Sequence, residues 1–167
     1  MDFKESISKL KKSEEYKKFK SENKNSYLCT AFFIVDFSGK QNTCQLNFQI
    51  SEDRVGIFSI NDNVTLKIEE LMAKKKILKL KENITTDVEE VVLEVKKEIK
   101  KNDLRGKVSK IIMILGVEGE STIWNATCFL EAMQILNVHV DAISGKVVNS
   151  QKMSIKDFFN KPADYIG

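Results

Sequence analysis

Hydrophobic side chains recur at every second position through most of this chain, and at helical spacing in only two stretches. The first helical stretch, Asp2 to Lys20, sets Phe3, Ile7, Leu10 and Phe19 among lysines and glutamates. A run of Ser, Glu, Asn and Lys up to Ser26 follows and predicts its end. The second stretch, Thr86 to Lys101, is the stronger. Val88, Val91, Val92, Val95 and Ile99 share one face, and Thr86 with Glu89 has the spacing of a capping box. Asp87, Glu89, Glu90 and Glu94 precede Lys96, Lys97, Lys100 and Lys101, a polarity that suits the helix dipole and needs no ligand to explain it.

Between and after these helices the pattern is that of strands. Leu28 to Phe37 is nearly all apolar, turns at Ser38-Gly39-Lys40, and is followed by Cys44, Leu46, Phe48 and Ile50 in strict alternation, which predicts a β-hairpin. Arg54 to Ile60 and Val64 to Ile68 are two more strands, parted by Asn61-Asp62-Asn63, whose side chains suit a tight turn. Met72 to Lys81 alternates poorly and reads as a short strand or an irregular connection. After the second helix come Lys110 to Val117, a turn at Gly119, the alternating set Thr122, Trp124, Ala126, Cys128 and Leu130, and then Leu136, Val138 and Val140.

The two halves thus share an order. An 80-residue shift sets Gly39 on Gly119, Cys44 on Trp124, Phe48 on Cys128, Phe58 on Val138 and Ile60 on Val140, preserving both turn and inward parity. A one-residue slip would turn every apolar side chain to the other face, so the agreement constrains the alignment, although two meanders of similar hairpin length also align by polarity alone. The predicted fold is α+β, two similar units of helix plus antiparallel meander. The first unit spans 1–70, a linker or short strand 71–85, the second unit 86–150, and a C-terminal tail 151–167.

Composition narrows the classes. The 167 residues are 42% hydrophobic, enough for a packed core, and 31% charged, with 27 basic against 24 acidic side chains and a net charge of +3. So small a bias argues against nucleic acid as a partner. No stretch approaches the ~20 apolar residues of a membrane helix, and the charged residues 1–20 lack a signal core. The expectation is a cytoplasmic protein, or a secreted or anchored one whose leader has been trimmed. Cys29, Cys44 and Cys128 lie far apart in apolar runs without Cys-x-x-Cys spacing, which predicts buried free thiols, a single disulfide being the alternative in a secreted protein. One histidine and no paired ligands leave no zinc site, and no cofactor is expected.

The segment Leu136-Asn-Val-His-Val-Asp141-Ala-Ile-Ser-Gly145-Lys-Val-Val148, with Trp124 before it, resembles the end of the PepSY family: an alternating strand, an Asp-Ala turn with Gly, and a short last strand. The resemblance covers roughly residues 86 to 150 and implies a cystatin-like helix-plus-meander fold. It also implies a role in binding or inhibiting proteins, beside a peptidase or alone. Because that module has no catalytic residues, the resemblance transfers none. This chain departs from the family in showing neither an anchor segment nor an attached peptidase.

Few residues could carry chemistry. His139, the single histidine, shares a strand face with Asn137 and Asp141, and a His-Asp pair could in principle serve as a base and its orienter. Parallel side chains on one strand, no linked nucleophile and a turn-forming role for Asp141 argue against it. Trp124 sits at an inward position, as a core anchor whose indole N–H needs a partner, or as the lining of a groove for a peptide or small apolar ligand. Lys74-Lys75-Lys76 with Lys79 and Lys81 is the densest basic run and lacks the Arg or aromatic residues of nucleic-acid readout, so it reads as a solvated linker. Sequons at Asn63, Asn83 and Asn125 matter only in a secretory pathway, and Gly116-Val-Glu-Gly119 is a hairpin turn with no helix behind it to cradle phosphate.

These readings converge on a non-enzymatic binding module that holds a protein or peptide on a sheet face or edge. The alternative is a small-ligand carrier or sensor with a pocket near Trp124. Trp124, Asn137, His139 and Asp141 are the candidate ligand-binding residues, with no metal site, and edge strands leave homodimerisation open.

Overall fold

The computed structural model describes residues 2–39 and 42–155. Within them two helices, α1 (Phe3–Lys12) and α2 (Glu14–Glu22), lead into β1 (Tyr27–Asp36), β2 (Thr43–Ser51), β3 (Arg54–Ile60) and β4 (Val64–Glu70). Helix α3 (Val88–Lys101) then leads into β5 (Val108–Glu118), β6 (Ser121–Leu130), β7 (Gln134–Asp141) and β8 (Val147–Met153). All eight strands form one antiparallel sheet in the order β4-β3-β2-β1-β5-β6-β7-β8. The seam between the early and late strands is β1 against β5, in register from Ala31 opposite Leu115 to Asp36 opposite Lys110. The α+β class read from the sequence holds. No helix among the described residues is long and apolar enough to cross a membrane.

Several boundaries differ from the sequence reading, each for a local reason. The first helical stretch is two helices, because Ser13 adopts an extended backbone and caps both: its N–H closes α1 on Leu10 O and its hydroxyl accepts from Tyr16 N at the start of α2. The capping box of α3 lies one residue later than the Thr86/Glu89 spacing suggests. Asp87 is the cap and Glu90 its partner, since Thr86 is already tied to Ala142 O by its N–H and to Trp124 by its carbonyl. Residues 71–81 form no strand. The last strand runs past the predicted boundary to Met153, and the rest of the predicted tail, residues 156–167, lies outside the described residues.

The helices cover one face of the sheet. The core beneath them holds Phe33, Leu46, Phe58, Met113, Leu115, Trp124 and Val138, all almost fully buried. Under α2, Phe19 meets Phe58 edge-on at 5.1 Å and Phe48 at 5.9 Å. That contact requires glycine on β3, for a methyl group at Gly56 would stand 2.8 Å from the Phe19 ring. Under α1, Phe3 and Phe33 flank Trp124 at 6.5 and 5.7 Å.

Connection 71–87 crosses one end of the sheet. Gln49, only 3% exposed, replaces the strand partner that the connection lacks: its Nε2 donates to Lys75 O and its Oε1 accepts from Ile77 N and the Tyr27 hydroxyl. Leu71 N, Lys75 N and Leu80 N bond to Asp53, Glu52 and Leu28 carbonyls.

Cys29, Cys44 and Cys128 are buried free thiols. Burial pushes the first two up to about 11 and Cys128 to about 12, so none is a thiolate at neutral pH. A thiol reagent such as Ellman's should therefore label the folded protein slowly and all three cysteines promptly in denaturant. Fast labelling of any one in the native state would contradict this packing.

Candidate functional site

The second face of the sheet has no helix on it among the described residues, and its make-up is unusual for a chain so rich in charge. At the seam Phe32 stands opposite Ile114 and Ile34 opposite Ile112, four half-buried apolar side chains in a block. Thr43 and Gln45 flank them on β2, Thr127 and Asn125 on β6, all uncharged. Along the outward positions of the six inner strands, charge is confined to the strand ends, at Asp36, Lys110, Glu118 and Asp141. An apolar centre ringed by neutral hydrogen-bonding groups, with charge only at the rim, is the composition of a contact surface.

A polar ladder climbs one side of this face. Asn137 donates from Nδ2 to Asn125 Oδ1 at 2.7 Å and to Thr127 Oγ1 at 3.1 Å, which leaves its Oδ1 to accept from His139 Nε2 at 2.9 Å. That bond fixes the tautomer of the neutral ring and turns Nδ1 toward Glu118 Oε2, 3.6 Å away. The predicted neighbours Asn137 and His139 are thus joined on the open face. Asp141 is occupied elsewhere: its Oδ1 accepts from Ser144 N at 2.7 Å and Ile143 N at 3.1 Å. The Ser144 amide foremost holds this carboxyl below its ordinary value. A base-and-orienter pair therefore does not form, since the histidine orients on an amide and the aspartate on a turn.

Trp124 lies on the opposite, helix-covered side and has no exposed surface. Its Nε1 donates to Thr86 O at 2.8 Å. The turn from Asp141 to Gly145, which carries the PepSY resemblance, packs beside it. Ala142 O accepts from both Thr85 N and Thr86 N, and Gly145, at φ +71°, brings the turn so close that a methyl group there would lie 3.0 Å from Thr86 Oγ1. Together these contacts place Asp87. Its carboxylate, which accepts from Val88 N at 2.7 Å in α3, also receives Phe3 N at 2.8 Å and Lys4 N at 3.3 Å from the start of α1. One side chain thus serves the N-termini of two helices, sharing α1 with that helix's own cap, Asp2, whose Oδ1 accepts from Glu5 N at 2.7 Å.

Beside this junction, an open cleft of ≈ 440 Å³ has Val35, Val88 and Val92 in its lining and Asp2, Glu5 and Glu89 among its polar groups. None of the predicted ligand-binding residues lines it. Among the described residues no cluster of His, Cys, Asp or Glu could hold a metal. The sequence reading missed the seam block and Asp87. The signal for the block was present, because Leu28–Phe37 and Lys110–Val117 lose the alternation of the other strands, as a strand apolar on both faces must.

No family model matches the chain, and no curated protein matches it. The fold is similar to that of a putative lipoprotein from Clostridium difficile 630, whose crystal structure superposes with a TM-score of 0.57 at 15% identity over 83% of this chain and 90% of that one. At that identity the likeness concerns the fold alone.

Proposed function

We propose that the chain is a non-enzymatic binding module that holds a protein or peptide on the open face of its sheet. The observation behind this is the half-buried block of Phe32, Ile34, Ile112 and Ile114 in a neutral surround, over which no helix lies among the described residues. A core-facing block of this kind would be buried. A merely solvated sheet face of a chain that is 31% charged would carry lysines and glutamates between its ends. The Asn125–Asn137–His139 ladder supplies oriented polar groups beside the apolar ones, which is how a docking face fixes register as well as affinity.

The reading includes an origin. In it, the chain is a tandem of two helix-and-meander units related to the cystatin-like and PepSY modules, joined through their first strands. Supporting this, β1 to β4 and β5 to β8 each run consecutively outward from the seam, and the 80-residue shift carries the β3 range onto β7. In such a tandem the face at the seam belongs to neither unit alone, and only the pair creates it.

The test compares capture by the wild-type chain with capture by a Phe32→Glu/Ile114→Glu variant, using the source cell extract and a Lys97→Ala chain as control. A specific partner held by wild type and control and weakened at least about tenfold by the face variant is the expected result. Equal recovery by all three chains, or none above background from a monodisperse wild-type sample, would overturn the proposal.

A further inference from the structure

The connection across the end of the sheet has a second character that the open face does not share. Lys74, Lys75, Lys76 and Lys79 are all exposed, and among the described residues none of them sits in an ion pair. Two large apolar side chains stand out with them: Met72 is fully exposed and Leu78 is 51% exposed. A solvated linker accounts for the lysines but not for these two, which gain nothing from water. Nor is the segment a loose tether. Gln49, Tyr27, Leu28 and Glu52 pin its backbone at residues 75, 77 and 80, so the basic and apolar groups are presented from a fixed edge.

Carboxylates nearby are Glu52 and Asp53 of the β2–β3 turn and Glu69 and Glu70 at the end of β4, where Arg54 stands opposite Glu70. Asp53 feels Lys74 and is held below its ordinary value first by the Ser51 hydroxyl. Positive charge still exceeds negative here, and Lys20 at the end of α2 adds to it. Partial burial, and secondarily the charge of Lys79, draw that lysine below its ordinary value, while its Nζ donates to Ser26 O at 2.7 Å. Basic groups beside exposed aliphatic ones, in a segment 72–79 that has no aromatic residue to stack on bases, match the chemistry of an anionic lipid surface better than that of a nucleic acid.

We propose that residues 72–79 are a peripheral docking edge for an anionic phospholipid bilayer, with the four lysines meeting headgroup phosphates and Met72 and Leu78 entering the headgroup–acyl boundary. This contact lies at the end of the sheet, leaves the seam block free and does not depend on the open-face reading.

Flotation of the full chain with phosphatidylserine-rich vesicles, against vesicles of pure phosphatidylcholine, tests it. Expected are binding to the anionic vesicles alone that weakens with salt, and a loss of roughly 100-fold or more in partitioning for Lys74→Glu/Lys75→Glu/Lys76→Glu. Met72→Ser/Leu78→Ser should lose roughly tenfold or more while keeping its salt dependence. All these side chains are exposed, so the variants should fold, as far-ultraviolet circular dichroism will confirm. Failure of wild type to float at low salt would overturn the proposal. So would an equal loss on reversing Lys97, Lys100 and Lys101 of α3, which would mean charge without a site. Tighter binding to single-stranded RNA that ignores Met72 and Leu78 would overturn it in favour of a nucleic acid.

Discussion

Trp124→Ala should lower the unfolding free energy by about 3–5 kcal/mol, read as a shift in the urea midpoint at unchanged slope. The side chain is completely buried between Phe3 and Phe33, so its removal leaves a cavity that rings on two different elements cannot both move to fill. The loss has a second part, because Thr86 O would be left in the core without the indole N–H that now serves it. Trp124→Phe separates the parts. It retains most of the volume and forfeits the hydrogen bond, so about 1–2 kcal/mol is expected. If both variants unfolded like wild type, neither the ring's packing nor its hydrogen bond would support the core.

Asp87→Ala should cost about 2–4 kcal/mol, more than a single helix cap usually contributes. An ordinary cap serves one helix end, whereas this carboxylate serves α3 and α1 at once, and its loss strands the N–H groups of Phe3 and Val88 in a buried place. Asp87→Asn should recover part of the loss, since its amide oxygen can still accept, while its NH2 group would face the Lys4 N–H that Oδ2 now receives. Helical circular dichroism distinguishes this from general destabilisation: α1 should fray in the alanine variant before the sheet melts. A cost below about 0.5 kcal/mol would show that the two helices do not share the cap.

How much of this was legible beforehand depended on the range of the interactions. Strand existence and parity follow from residues two apart, and so β2, β3, β6 and β7 could be read from Cys44, Phe58, Trp124 and Val138 nearly as they stand. Helix α3 announced itself by its valines, but its first residue did not. Thr86 and Asp87 are both good caps by type, and the choice between them is made by Ala142, more than 50 residues away. Likewise nothing near Gln49 reveals that its amide will stand in for a strand. The site followed the same division: Asn137 and His139 were placed together by strand period, whereas the seam block needs β1 beside β5, a pairing between residues about 80 apart in the chain. Asp141 was read correctly as a turn residue because its partners are two and three positions on.

The seam also sets an order of events as the chain is made. Strand β1 is complete long before β5 emerges, and it borders β2 on one side only until then. During that interval the molecule carries a long, strongly apolar strand with an unpaired edge, the arrangement from which chains join to one another instead of to themselves. Lys110 to Leu115 of β5 close that edge from within. A ribosome that stalls before residue 110 therefore releases a sticky half-sheet, and the spacing between the two strands is the length of chain over which this protein is most exposed to its own copies.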